Sequence, residues 1–364
     1  MNTKSTCITL ATTALLTACG GGSSSTPGGP PAADHCTNGA PNYPTCTPPA
    51  SKPWSSVVLN VPTTTYIGED LKAFDSLNKT RSIAGSGKVA QNSQLDTSSS
   101  RHARYLQTNL AEIASVGLHN EVIGRVGFSG ATPQERMTGA GYVGTGSELA
   151  SNFLLSNGTG EKCIQLFTDY SLYHRFAILS SWIDVGISVI TNSFGETSCV
   201  INVGKSATLS GGQIPVSPIT YPYSNQTGVA TTFVPSAEAP NPAPDVGSMS
   251  IGVPVTVSLA TQDLLGASLV GFNANDVVVS EFTLTGHGTL NPVAARILAM
   301  AGVRSESGVV LTYDPNPGYM DASSIALLPL SPLTKNLVYD VKFKAMVKGK
   351  LVSLNWSFTT GAGI

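Results

Sequence analysis

His102, His119, His174 and Glu148 are the side chains here whose chemistry stands out. Histidine changes charge near neutral pH and binds divalent ions through a neutral ring nitrogen. A carboxylate adds a metal ligand or a proton acceptor. His119 lies in Leu118-His119-Asn120, just after one helical run, and His174 in Tyr173-His174-Arg175, just after another. Glu148 stands between them in GSELAS, behind a Gly-rich turn. Groups at element ends can converge in one cleft. There, two imidazoles and a carboxylate would suit zinc or proton transfer, with His119 and His174 as the metal ligands. The same pattern also fits histidines that merely cap helices or bond to nearby backbone. Neither His-Glu-x-x-His nor Gly-x-Ser-x-Gly occurs. Ser147, next to Glu148, reads as a residue that opens a helix rather than as a nucleophile.

The elements that must position these groups are legible from periodicity. In GEDLKAFDSLNKTRSIAG, Leu71, Phe74 and Leu77 form a helical stripe with Arg81 beyond it, and Gly85 and Gly87 end the helix. A second helix is predicted from about Ser98 to Val116, with Ala103, Leu106, Leu110 and Ile113 on one face. Thr132-Pro133-Gln134-Glu135 is a capping box with Pro in the first turn, opening a short helix to about Ala140. A fourth helical stretch covers 160–171. The period then changes to two: 184–190 alternates as a strand, and 199–203 is its hairpin partner, with Asn192 and Gly195 in the turn. Helices followed by an antiparallel sheet predict an α+β fold for 66–210. Residues 211–247, with AEAPNPAPDVG, read as a linker. Residues 248–364 read as a small all-β sandwich with strands at Val255–Ser258, Asp276–Leu284, Gly308–Tyr313, Ser323–Leu328, Val338–Phe343 and Val352–Phe358.

The N-terminal residues point to export. Lys4 precedes the uncharged stretch ITLATTALLTA at 8–18, which is too short to span a bilayer. Leu16-Thr17-Ala18-Cys19 is the pattern of a lipoprotein signal, so 1–18 reads as a signal peptide and Cys19 as the lipidated residue. The acyl chains would anchor the protein to a membrane. Gly20, rather than Asp, follows Cys19, which favours the outer membrane or cell surface if the cell has two membranes. Residues 19–65 are a Pro/Gly/Ser-rich tether. Four further cysteines fit an oxidising compartment and allow three pairings; proximity favours Cys36–Cys46 and Cys163–Cys199. The net charge of −2 and the absence of a long basic tract argue against nucleic acid as a partner. With only 12% charged residues, any ligand would be held mainly by apolar and neutral polar contacts.

Taken together, LNKTR at 77–81, HARYL at 102–106, LHN at 118–120, GFSGATPQERMTGAGY at 127–142, GSELA at 146–150, YHRFAIL at 173–179 and DVGIS at 184–188 resemble the bacterial branch of the CAP superfamily. That family takes its name from cysteine-rich secretory proteins, antigen 5 and pathogenesis-related 1 proteins. The resemblance implies an α-β-α sandwich with a large cleft and a His/Glu tetrad. By position, it makes His119, Glu148 and His174 the cleft residues, although Leu149 replaces the customary Asn. The second family glutamate has no clear match; Asp169 is the nearest acid before His174. His102 matches a helix histidine expected to be packed or hydrogen-bonded. The C-terminal region resembles bacterial immunoglobulin-like modules. The expected function is an extracytoplasmic, lipid-anchored envelope protein that binds a lipid, glycan or peptide in the His/Glu cleft. The alternatives are a metal-assisted or acid/base hydrolase of peptidoglycan or protein, with Glu148 as base, and a surface interaction or adhesion module.

Overall fold

The computed structural model describes residues 57, 58, 60, 62–154, 159–206, 212–266 and 271–362. The expected signal peptide, Cys19, the Cys36–Cys46 pair and nearly all of the tether lie outside these residues. The architecture is mixed α/β, with several helices and three sheets.

Helix α1 (Gly68–Ala84) buries Phe74, Leu77 and Arg81 and stops at Gly85, whose φ of 89° is a left-handed conformation suited to glycine. The two-residue strand β1 (Ala90–Gln91) follows. Helix α2 (Ser93–Thr108) starts at Asn92, whose side chain accepts from the backbone N–H groups of Gln94 and Leu95. The long helix expected to reach Val116 is interrupted at Asn109, and α3 (Leu110–Val116) continues beyond it. The reason is local: the Asn109 amide donates to the Tyr105 and Val126 carbonyls, and its ψ of 37° leaves the helical range. Helix α4 (Pro133–Gly139) opens on the Thr132 cap as expected.

Strand β2 (Gly144–Leu154) follows, so Ser147 and Glu148 lie in a strand rather than at a helix start. Helices α5 (Gly160–Asp169) and α6 (Tyr173–Leu179) come next, which places His174 inside a first helical turn rather than in a loop. Strands β3 (Asp184–Thr191) and β4 (Glu196–Ser206) form the expected hairpin. The sheet order is β1-β3-β4-β2.

Helices cover both faces of this sheet. On one side Phe74, Leu77, Ile164 and Phe167 pack against Leu149, Ile187, Cys199 and Ile201. The disulfide Cys163–Cys199 ties α5 to β4 within that layer. On the other side Ala103 and Leu106 of α2 meet Ala150 and Val200. Gly186 is required there, because a Cβ would fall 2.1 Å from the Leu95 backbone. Strand alternation then puts Glu148 on the α2 face with Ala150, opposite Leu149.

The stretch expected to be a linker is largely packed structure. Strand β5 (Ile219–Tyr221) belongs to a sheet, and Ile214, Tyr221, Phe233 and Glu238 are buried. Strands β6 (Val255–Ser258), β7 (Val277–Gly286), β8 (Ala295–Ala299), β9 (Arg304–Ser305), β10 (Leu311–Tyr313), β11 (Ser324–Pro329), β12 (Val338–Val347) and β13 (Lys350–Thr359) complete two sheets, ordered β10-β8-β11-β6-β5 and β13-β12-β7-β9. Their shared core includes Val257, Leu284, Ile325, Phe343, Trp356 and Phe358. A separate cluster of Leu172, Tyr173, Phe233, Ile251, Met320 and Leu328 joins this β region to α6.

Candidate functional site

The side chains at the centre of the α/β region converge from five segments. Glu148 projects from β2 toward α2 and accepts from Arg136 Nη2 at 2.7 and 2.8 Å. Arg136 comes from the helix that the Thr132-Pro133 start fixes, and it also donates to the Gly130 and His119 carbonyls. His119 Nδ1 lies 3.0 Å from Glu148 Oε1. His102 of α2 places Nδ1 2.8 Å from Glu121 Oε1 and Nε2 2.7 Å from the Leu118 carbonyl. Both His102 nitrogens face acceptors, the Glu121 carboxylate and the Leu118 carbonyl, so the ring is held from two sides. Arg136 lies against both Glu121 and Glu148. His102 is therefore a hydrogen-bonded structural group.

Burial alone would raise the pKa of both acids, but their partners prevail. Arg136 and the neighbouring imidazoles hold Glu148 well below the usual carboxylate range. The bonds from His102 and the Ser129 backbone likewise lower Glu121. His119 is shifted down, because burial disfavours its charged form more than Glu148 favours it.

His174 reaches the same place from α6. Its ring lies 6.5 Å from that of His119, centroid to centroid, and packs on Phe167 at 5.1 Å. Its Nδ1 is 3.1 Å from Glu238 Oε1 and 3.3 Å from Ser171 Oγ. Glu238 also accepts the backbone N–H groups of Leu172, Tyr173 and His174. The Nε2 atoms of both His119 and His174 are buried without a hydrogen-bond partner.

The three residues singled out from sequence are thus brought together, but they do not line an open cleft. His119, Glu148 and His174 are only 1%, 2% and 3% exposed. A cleft of about 350 Å³ lies alongside, between the α/β and β regions, walled by Thr145, Ser147, Phe176, Trp182, Tyr319 and Asp321. Ser147 and Tyr173 border that cleft and are the chain neighbours of Glu148 and His174. Asp169, the nearest acid before His174 in sequence, turns away and accepts from the Tyr221 hydroxyl.

Glu121, Arg136, Ser171 and Glu238 were missed in the sequence. Glu121 follows the LHN segment by one residue, and Arg136 lies one turn into a recognised helix, so both had a local signal. Glu238 had none, being 64 residues from His174 in a Pro-rich stretch. Among the described residues, no three or more His, Cys, Asp or Glu side chains form a group that could hold a metal ion. No helix among them is long and apolar enough to cross a membrane.

No protein-family model matches the chain, and no curated protein matches it significantly. Among solved structures, an outer surface protein from Borrelia burgdorferi aligns at 14% identity over 38% of this chain and 99% of that one, with a TM-score of 0.30. A likeness at that level carries no argument about fold or function.

Proposed function

We propose that this protein is a lipid-anchored, extracytoplasmic envelope protein whose CAP-like α/β domain binds a ligand at the His119–His174 pair, followed by an immunoglobulin-like β-sandwich. The Leu16-Thr17-Ala18-Cys19 signal supports the anchor, and the ordered motifs quoted above support the family. One observation carries the binding reading. Two buried imidazoles face each other, each with Nδ1 against a carboxylate and Nε2 unpartnered. A buried polar atom without a partner is costly, and two such atoms on neighbouring rings support a reading in which something binds there. Because a carboxylate only accepts, each Nδ1 carries a proton, and in a neutral ring Nε2 then presents a lone pair.

Such a pair takes a proton-donating ligand group or a divalent ion. Neither His119 nor His174 lines the cleft that Ser147 and Tyr173 border, so a ligand body held there would reach the pair only once the side chains between them move. Zinc fits in part: His119 and His174 would hold it, and water or the ligand would supply the remaining positions. Bound there, the ion would contribute a fixed positive charge and a Lewis acid. The lining of the cleft, aromatic rings with hydroxyls, one acid and Lys205, suits the polar end of a lipid, glycan or peptide.

A hydrolase fits this geometry less well. Both Glu148 oxygens are engaged by Arg136, and a carboxylate held that far below its usual range is a weak base.

Native mass spectrometry of residues 20–364, made in an oxidising compartment, tests the reading. Envelope lipids and muropeptides would be offered to the wild type and to a His119→Ala/His174→Ala variant. A wild-type adduct that the variant loses is expected. A cleaved muropeptide would favour the hydrolase, and a folded wild type that takes nothing would favour the interaction module.

A further inference from the structure

We propose that Glu238 is the carboxylate that orients His174, so that the binding centre is assembled from both the α/β region and the segment that leads into the β region. The inference rests on the binding role proposed for the histidine pair.

The two imidazoles are held in parallel ways. His119 Nδ1 is 3.0 Å from Glu148, which stands on β2 of the same sheet. His174 Nδ1 is 3.1 Å from Glu238, which directly follows a short 3-10 turn at Pro235–Ala237. Glu238 is 3% exposed, and its side chain is fully enclosed. Carboxylates behind ring nitrogens fix tautomer and ring direction, and without one an imidazole can present either nitrogen. Ser171 cannot replace Glu238 in this role: a hydroxyl both donates and accepts, so it leaves the tautomer open.

The position of Glu238 is itself over-determined. Its two oxygens collect three backbone N–H groups at the start of α6. Phe233 and Ala243, on either side of it in sequence, pack in the cluster that joins α6 to the β region. The β region adds a second buried acid to the same helix, where Asp314 accepts from the Tyr173 hydroxyl at 2.5 Å. Docking of the β region therefore sets the direction of His174 Nε2, one half of the proposed site. The α/β region alone would hold one oriented imidazole and one free to turn.

The test separates orientation from simple capping of α6. Residues 20–364 with 15N-labelled histidine report each ring tautomer by NMR. His119 and His174 should both appear as the Nδ1–H form; an Nε2–H ring at His174 in the wild type would overturn the proposal. Glu238→Ala removes the acceptor behind Nδ1 and leaves Ser171, whose hydroxyl fixes neither tautomer. His174 should then show the Nε2–H form as well while His119 stays unchanged, and Zn2+ affinity by calorimetry should fall roughly 10–100-fold. A His174 that stays wholly Nδ1–H in Glu238→Ala would reduce Glu238 to a helix cap and sink the inference. If that variant does not fold, the wild-type tautomer decides. A wild type that binds neither Zn2+ nor any envelope ligand would undo the binding reading of the previous section, and the tautomer result would still stand by itself.

Discussion

The interiors of the two regions are built from different materials. The α/β region buries His102, His119, His174, Glu121, Glu148, Arg81, Arg136 and Arg175. Some of these charges are structural. Arg81 sits beneath α6, donating to the Gly87, Ile178 and Ser180 carbonyls, and burial pulls its pKa down to about 9. The core of the β region is apolar, with Val257, Ile325, Phe343 and Phe358 at its centre. Its side of the chain offers two buried acids, Glu238 and Asp314, and both turn toward α6. An apolar core gives stability that is nearly independent of pH, whereas an ionic one depends on every partner and on protonation. The difference separates a region built to hold chemical groups in fixed directions from one built to hold its shape and brace them.

Removing one ion is the strongest way to test that contrast. Arg136→Ala leaves Glu148 and Glu121 without their buried cation and should destabilise the protein by about 3–5 kcal/mol in denaturant unfolding. A loss below about 1 kcal/mol would mean that the network is solvated or rearranges, and the contrast would fail.

The disulfide gives the next largest effect. Cys163→Ala with Cys199→Ala should cost about 2–4 kcal/mol, confined to the helical signals if the two cores unfold separately. Equal loss in both cores would show that they form one cooperative unit.

Acid sharpens the comparison more gently. The folded pKa of His119 lies below its free value of about 6.5, so the stability it contributes is present above that value and lost as pH falls through it. Glu121 and Glu148 are also lowered, and their contributions are present above about pH 4.3 and lost as pH falls further. The contribution of these three groups should therefore start to drop between pH 7 and 5.5 and fall faster below 4.5, opposed by Asp70, Asp96, Asp184 and Asp314, whose pKa values burial raises and which add stability as pH falls. The penalty of Ile325→Val, about 0.5–1.5 kcal/mol, should be the same at both ends of that range. A pH-dependent Ile325 penalty would show that the apolar core senses the ionic one.

Most of the helices and strands follow from local pattern. The Phe74–Leu77–Arg81 stripe, the Thr132 cap and the β3–β4 alternation each appear where periodicity puts them. The misread elements had competing local chemistry. Asn109 breaks a helix whose apolar pattern continues across it, and GTGSELAS looks like a turn but runs as an edge strand beside β4. Of the site, His119, Glu148 and His174 were legible because each sits in a short distinctive segment. Their enclosure was not, because exposure depends on what another part of the chain lays over them.

The sequence by itself determined most element types and the identity of three polar groups, because propensity and capping act over a few residues. Among three possible pairings it only favoured Cys163–Cys199, which the structure forms. Only the tertiary structure decided which acid meets His174. Glu238 lies 64 residues away and carries no local signature. Its place is fixed by the Phe233–Ile251–Leu328 packing and by three backbone N–H groups at the start of α6, a combination that exists only once both cores have formed.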